Sequence, residues 1–148
     1  MHRRIIPDVV NNQNVCSLPL EDTAANAARQ MVKRNIAAVV VVNEIGRMLG
    51  IVTERDLTRR VMAENLDPAK TTLASIMTPD PEVLSPDKTA GDALELMRVR
   101  SFRHLPVIDG DRVVAMVSIR DLYAAVKSDL EDDNHEIEAF VFGTQYGA

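Results

Sequence analysis

Short aliphatic runs alternate along this chain with longer stretches in which apolar residues recur every three or four positions. Ala38–Val42 and Met48–Val52 are aliphatic runs separated by a polar turn, which predicts a β-hairpin. A helix is predicted before the hairpin, beginning at the N-cap residue Thr23, and a second helix is predicted after it, over Glu54–Glu64. The apolar face of the first helix is predicted to consist of Ala27, Met31 and Val32.

The whole pattern occurs twice. Thr23–Met31 matches Thr89–Met97 at a spacing of 66 residues, and Ile51–Leu57 matches Met116–Leu122 at a spacing of 65. The change of spacing falls in the turn between the two strands, where hairpin loops tolerate a change of length. The second copy therefore predicts a helix from Thr89, strands at Leu105–Ile108 and Val113–Val117, and a helix over Ile119–Lys127. Because a copy of about 60 residues buries little core alone, we expect the copies to pack together.

The composition indicates which kinds of protein this chain can be. With 46% hydrophobic and 26% charged residues the chain is typical of a globular domain, and a net charge of −5 argues against a nucleic-acid partner. The longest aliphatic run, Ile36–Val42, is too short to cross a membrane. The single cysteine, Cys16, excludes an intrachain disulfide and is expected to be buried, as free cysteines usually are. We expect a soluble, cytoplasmic protein.

Four motifs carry a resemblance to a known family. They are Gly50–Leu57 and Met116–Leu122 after the two hairpins, Arg103–Asp109 in the second copy, and Ile76–Pro79 between the copies. With these motifs the chain resembles the cystathionine-β-synthase-type (CBS) domain family. The resemblance implies an α+β fold of two tandem β-α-β-β-α CBS motifs, packed sheet to sheet with pseudo-twofold symmetry.

We expect three segments: CBS motif 1 over residues 1–68, CBS motif 2 over residues 69–127, and an acidic and aromatic tail over residues 128–148. The tail contains Phe140, Phe142 and Tyr146. Disordered tails are poor in aromatic residues, so we expect this one to dock on a surface.

The resemblance also implies two clefts for adenine nucleotides. In family members that bind AMP, ATP, S-adenosylmethionine or NAD, the aspartate of a Thr/Ser-x-x-Asp motif accepts hydrogen bonds from the ribose hydroxyls. A carboxylate suits this role because it can accept both hydrogens of a cis-diol. The corresponding residues here are Thr53, Asp56, Ser118 and Asp121. The same residues also form capping boxes, so a purely structural role stays open.

The residues that the resemblance implies for phosphate binding are Arg55, Arg103, His104 and Arg120. Part of each set is expected to come from the opposite copy, which places Arg103 and Arg120 over the cleft of Asp56 and Arg55 over the cleft of Asp121. The alternative is that the arginines are solvated or paired locally and that the histidine is structural. Ala37 stands in the first copy where the second has Arg103, so we expect unequal clefts.

The adenine base is expected to lie against the strand entries and the extended segments that close the clefts. The residues implied for this role are Val15, Cys16, Ala37, Ala38, Val39, Pro81, Glu82, Val83, Leu105 and Pro106. None of them is aromatic, so discrimination of the base would depend on backbone hydrogen bonds.

No catalytic motif is present, and we expect no enzyme and no metal site. The function that the resemblance implies is an adenine-nucleotide-binding regulatory module (AMP, ADP, ATP or NAD) that acts on a partner protein in trans. The alternative is a structural dimerisation scaffold with vestigial clefts. A homodimer is expected in both cases, through apolar helix positions at Leu57, Val61, Leu122, Tyr123 and Val126.

Overall fold

The fold consists of two similar units with helices and strands in the same order. A computed structural model describes the backbone of residues 2–146 and the side chains of residues 2–134. The strands are β1 (Ser17–Pro19), β2 (Ala38–Val42), β3 (Met48–Thr53), β4 (Thr78–Pro79), β5 (His104–Asp109) and β6 (Arg112–Ser118). The helices are α1 (Ala24–Arg34), α2 (Glu54–Leu57), α3 (Leu73–Ile76), α4 (Ala90–Arg100) and α5 (Ile119–Tyr146). A π-helical turn, Thr58–Met62, continues α2. The predicted α+β repeat is confirmed.

The long helix of each unit begins where the sequence predicts. The Thr23 hydroxyl accepts a hydrogen bond from the backbone N–H of Asn26 at 3.1 Å. The Thr89 hydroxyl accepts one from the N–H of Asp92 at 3.1 Å. Each such cap satisfies a backbone donor that has no partner within the helix, and this explains why both helices begin there.

Each unit contains the predicted antiparallel hairpin. In the first unit Ala38 pairs with Thr53, and the four strands are ordered β1-β2-β3-β4, with β1 parallel to β2. In the second unit His104 pairs with Ser118 in the β5–β6 hairpin. Leu84 forms a parallel bridge to Val107, at the place equivalent to β1 in the first unit.

Each unit has its own aliphatic core. Buried residues of the first core include Met31, Val39 and Val52, and those of the second include Leu105 and Val117. Cys16 is 4% exposed, which confirms its expected burial. The expected place of Val32 on the buried helix face is wrong, because this side chain is 83% exposed. The buried face of α1 is centred on Ala24, Ala27 and Met31, and a residue next to Met31 points about 100° away from it.

The segment before β1 packs on the second unit. Ile5 is fully buried in the second core, and its N–H donates to the carbonyl of Lys88 at 2.8 Å. Arg3 forms ion pairs with Asp129 and, at 2.9 Å, with Asp132 on α5. The segment boundaries expected from the sequence stay a prediction.

Helix α5 continues beyond Lys127 through the acidic stretch, which is one of the two arrangements that the sequence allows, the other being a stretch that follows the helix. The side chains of Phe140, Phe142 and Tyr146 lie outside the described side chains, so the docking of the tail stays a prediction. Within the described residues no helix has the length and apolar character needed to cross a membrane.

Only part of the helix surface that we expect to form the dimer contact is exposed. Val61 is 5% exposed and Leu122 is fully buried, because both side chains belong to the cores of their own units. Tyr123 is 69% exposed, as the expectation requires. Among the described side chains of α5, the large apolar ones that are exposed are Ile119, Tyr123 and Leu130.

Candidate functional site

Two clefts adjoin the junction between the units. The Asp56 cleft, lined by Asp56, has a cavity volume of about 290 Å³, and the Asp121 cleft, lined by Asp121, has one of about 980 Å³. Both volumes are close to the range of about 300–1,000 Å³ found for small-molecule sites. Ala37, Glu54 and His104 line both clefts, and we call these three residues the shared wall.

The backbone places the same type of residue at each cleft. The N–H of Glu54, at the start of α2, donates to the carbonyl of Ala37 at 2.9 Å. The N–H of Ile119, at the start of α5, donates to the carbonyl of Arg103 at the same distance. Each hairpin therefore delivers a helix N-terminus and its first-turn carboxylate to the cleft, in equivalent positions of the two units.

Both motif aspartates form capping boxes, which is the purely structural role that the sequence allows for them. Asp56 Oδ2 accepts from Thr53 N at 2.9 Å and from Thr53 Oγ1 at 3.1 Å. Asp121 Oδ2 accepts from Ser118 N at 2.8 Å and from Ser118 Oγ at 2.9 Å. The cap uses the same oxygen in both units, so Oδ1 of each carboxylate can still accept hydrogen bonds from a ligand.

Arginines are concentrated at the Asp56 cleft. Arg55, Arg60, Arg100 and Arg103 line it together with the carboxylates of Glu54, Asp56 and Glu82. Arg60 Nη1 donates to the carbonyl of Ile76 at 2.8 Å, and its Nε lies 3.8 Å from Asp56 Oδ1. Arg100 Nη2 lies 3.5 Å from a Glu82 carboxylate oxygen. The cleft thus presents guanidinium groups suited to an anionic ligand group.

The crosswise placement expected for two of the arginines is wrong. Arg103 lines the Asp56 cleft as expected, but Arg120 lines the Asp121 cleft and Arg55 lines the Asp56 cleft. Arg55 and Arg120 each precede the cleft aspartate in the first turn of the same helix. They therefore stay beside the aspartate of their own unit. Whether any of these arginines binds a phosphate stays a prediction.

The residues expected at the adenine base fall into three groups. Pro81 and Glu82 line the Asp56 cleft. The residues of this set that line the Asp121 cleft are Val15, Cys16, Ala37 and Ala38, and Ala37 also lines the Asp56 cleft. The remaining residues, which line neither cleft, are Val39, Val83, Leu105 and Pro106. The side chains of Val39, Leu105 and Pro106 are buried in the interior, so only their backbone could meet a base.

His104 is half-buried in the shared wall. Burial lowers the pKa of its imidazole, because desolvation disfavours the charged form. The carboxylates of Glu54 and Asp121 act in the opposite direction, and the guanidinium of Arg103 adds to the lowering. Burial also raises the pKa of the Cys16 thiol in the Asp121 cleft, which makes the thiolate scarce.

Sequence reasoning missed Arg60, Arg100 and Glu54 as cleft residues. Arg60 lies four positions after Asp56, a spacing that places both side chains on one helix face, so the pattern could have indicated it. Arg100 reaches the cleft from the C-terminal end of α4, and no local pattern in the sequence predicts that approach. Within the described part of the chain, no group of His, Cys, Asp and Glu side chains could hold a metal ion.

Comparison with known proteins matches this geometry to one family. The model of the CBS domain family matches residues 2–63 and 73–128. The CBS domain-containing protein CBSCBSPB2 of Arabidopsis thaliana is 37% identical over 105 residues, which cover 70% of this chain and 20% of that protein. The chain thus spans about a fifth of the length of this relative.

Two solved structures with the same fold are of similar size to this chain. The CBS-domain-containing protein ATU1752 of Agrobacterium tumefaciens is 28% identical with a TM-score of 0.76, and the match covers 84% of this chain and 94% of that one. The CBS domain protein PAE2072 of Pyrobaculum aerophilum, complexed with AMP, is 26% identical with a TM-score of 0.72. That match covers 80% of this chain and 88% of the relative.

Proposed function

The chain belongs to the CBS domain family, and we propose on this premise that it is a regulatory module that binds AMP and acts on a partner protein. The observation that carries the proposal is the pair of capped aspartates. Each leaves Oδ1 available to a ligand at a helix N-terminus, and guanidinium groups lie in the same cleft. The AMP complex of the similar Pyrobaculum protein supports the choice of ligand.

We assign a role to each part of the Asp56 cleft. Asp56 Oδ1 accepts the ribose hydroxyls, while Oδ2 keeps its cap with Thr53. Arg103 and Arg55 bind the phosphate, because Arg60 and Arg100 already have partners in Asp56 and Glu82. Pro81 covers the base. The volume of about 290 Å³ favours a mononucleotide over a dinucleotide.

The Asp121 cleft differs in size and charge. Its cavity of about 980 Å³ has room for a larger adenine ligand, such as ATP or NAD. Arg34 and Arg120 are its arginines, and Arg34 Nη1 donates to the carbonyl of Asn14 at 3.4 Å. Among the described residues this leaves Arg120 for a phosphate, compared with Arg55 and Arg103 in the Asp56 cleft. We propose that AMP occupies the Asp56 cleft first.

A thermal-shift panel with AMP, ADP, ATP, NAD, S-adenosylmethionine and adenosine tests the proposal, with GMP as a control for the base. A ligand at a hundredfold excess over its Kd stabilises the fold by roughly 2.7 kcal/mol. For a chain of this length this corresponds to a rise in Tm of about 5 to 10 °C. We expect that rise with AMP and not with GMP.

The second candidate is a dimerisation scaffold whose clefts are vestigial. The capping boxes favour it, because they explain both aspartates without a ligand. The absence of a Tm shift with every adenine ligand at millimolar concentration would support the scaffold and contradict the nucleotide module.

The remaining parts of the proposal are a cytoplasmic location, a homodimer and the absence of catalysis. The exposed apolar residues of α5 form the proposed contact between copies.

Chromatography of AMP and ATP after prolonged incubation with the protein tests for turnover, and formation of any product would contradict a purely regulatory role.

A further inference from the structure

We propose that His104 is a specificity-determining residue that takes up a proton when a phosphate-bearing ligand enters the Asp56 cleft. It thereby favours phosphorylated adenine ligands over adenosine. This inference rests on the proposed function and adds that ligand binding at the same site depends on pH.

The first argument is the position of the imidazole. His104 lines both clefts, and the Asp56 cleft also contains its sequence neighbour Arg103. It begins β5, where it pairs with Ser118, so the backbone of the hairpin holds it at the end of the strand. A ligand phosphate bound by Arg103 therefore lies in the same cavity as the imidazole.

The second argument is that the shared wall breaks the symmetry of the repeat. His104 corresponds to Ala38 in the first unit, and Glu54 corresponds to Ile119 in the second. The duplication thus has one imidazole and one carboxylate at the junction, and an alanine and an isoleucine at the equivalent places. Neither residue is required by the fold, since the first unit forms its hairpin with Ala38 in place of the histidine and the second forms its hairpin and following helix with Ile119 in place of the glutamate.

The third argument is the charge around the imidazole. The charged groups that line the two clefts are Arg34 from α1, Glu54, Arg55 and Asp56 from α2, Arg60 from the π-helical turn, Glu82 from the linker, Arg100 from α4, Arg103 before β5, and Arg120 and Asp121 from α5. Glu54 and Asp121 favour the imidazolium, whereas burial and Arg103 oppose it more strongly. The pKa of the imidazole is therefore lowered without ligand, and an added negative charge would act against this lowering.

A ligand phosphate changes this balance. It neutralises Arg103 and adds negative charge beside the imidazole, and both effects raise the pKa of His104. Because the bound state then holds the proton more tightly, ligand affinity rises as the pH falls and is lost as the pH rises through the pKa of the bound state. Adenosine carries no charge and leaves the balance unchanged.

Titration calorimetry in buffers of different ionisation enthalpy counts the protons taken up with each ligand. The ligands are AMP and adenosine, and the proteins are the wild type and His104→Gln. Both proteins are also compared in an Asp121→Ala background, which weakens binding to the Asp121 cleft. Because Asp121 favours the imidazolium, proton counts are compared only between proteins of the same background. A phosphate monoester has its own second pKa of about 6, and this contribution cancels in the difference between the two proteins. We expect the wild type to take up more protons with AMP than His104→Gln, and equal numbers with adenosine.

The affinity itself provides a second readout. Between pH 5.5 and pH 8 we expect the AMP affinity of the wild type to fall about tenfold more than that of His104→Gln. Equal proton uptake and equal pH dependence in two proteins that both bind AMP would overturn the inference and leave the proposed function intact. Failure of the wild type to bind AMP would overturn both.

Spectroscopy on the wild type keeps the test valid if His104→Gln does not fold. The chain has three histidines, His2, His104 and His135, so the imidazole proton resonances can be assigned with single variants at the other two positions. We expect the titration midpoint of His104 to rise with AMP and to stay constant with adenosine. An unchanged midpoint at saturating AMP would contradict the inference.

Discussion

Replacing Asp56 with alanine separates the two roles that its carboxylate combines. Oδ2 accepts the cap hydrogen bonds of Thr53, while Oδ1 lies toward Arg60 at 3.8 Å and is assigned to the ribose. The chain offers a matched control in Asp92, whose Oδ2 accepts from Thr89 N at 2.9 Å in a capping box away from both clefts. Asp56→Ala and Asp92→Ala therefore remove the same kind of cap, and only the first removes a cleft carboxylate.

The expected magnitudes follow from these contacts. Loss of this half of the capping box lowers the free energy of unfolding by about 0.5–2 kcal/mol, the range found for helix caps, which is a fall in Tm of about 1 to 8 °C. A hydrogen bond to a charged group contributes about 1.5–3 kcal/mol, so binding of adenosine should weaken roughly tenfold to 150-fold. AMP should lose no more than adenosine, because Arg60 is released from Asp56 and becomes available to the phosphate.

The assay is titration calorimetry with AMP and adenosine in an Asp121→Ala background, after thermal denaturation of each variant without ligand. We expect Asp92→Ala to lose stability and to keep wild-type affinity for both ligands. If folded Asp56→Ala also keeps wild-type affinity for both, the assignment of the ribose to this carboxylate is wrong and the cap is its only role.

Three further predictions follow from the clefts, the strands and α5. Arg103→Gln should weaken AMP binding in calorimetry by about tenfold to 150-fold and leave adenosine binding unaffected. Arg98 pairs with Glu95 outside both clefts, so Arg98→Gln should change the Kd of neither ligand. Gly50→Ala should lower the free energy of unfolding by about 1–3 kcal/mol in a denaturant titration, because the new Cβ would lie 2.6 Å from the Thr78 carbonyl oxygen; an unchanged midpoint would refute this close approach. Tyr123→Glu should convert the proposed dimer to a monomer in light scattering, whereas Ile45→Glu, in an exposed turn, should leave it a dimer. A monomeric wild type would contradict the interface.

The repeat made the secondary structure predictable. Two copies of the same pattern indicate the same elements twice, so the starts of α1 and α4 and the strands of both hairpins agree with the structure to within about a residue. Where the copies differ, the structure explains the difference. At Gly50 a side chain would meet Thr78 of β4, which pairs with β3 there, whereas at Ala115 the neighbour of β6 is the segment containing Gln13, whose N–H donates to the Val114 carbonyl at 2.8 Å.

The cleft residues were less predictable, because they depend on which unit each side chain meets. The motif aspartates and Arg103 could be placed at a cleft from their positions in the repeat. The cleft of Arg120 was predicted wrongly, although its position next to Asp121 in the first turn of α5 indicates the cleft of its own unit. The burial of Val61 and Leu122 was missed for a related reason, because an apolar helix residue can face either its own core or a partner.

The duplication supplies the framework of both clefts, and the residues at the junction make the clefts different. Strand, cap and aspartate recur in equivalent positions, so each unit alone indicates the same kind of site. His104, Glu54 and Arg103 have the apolar counterparts Ala38, Ile119 and Ala37. Because His104 and Glu54 line both clefts, a proton taken up with a ligand in the Asp56 cleft also changes the charge that a ligand in the Asp121 cleft meets. We therefore expect charged ligands in the two clefts not to bind independently, since each ligand would alter the protonation state that the other requires.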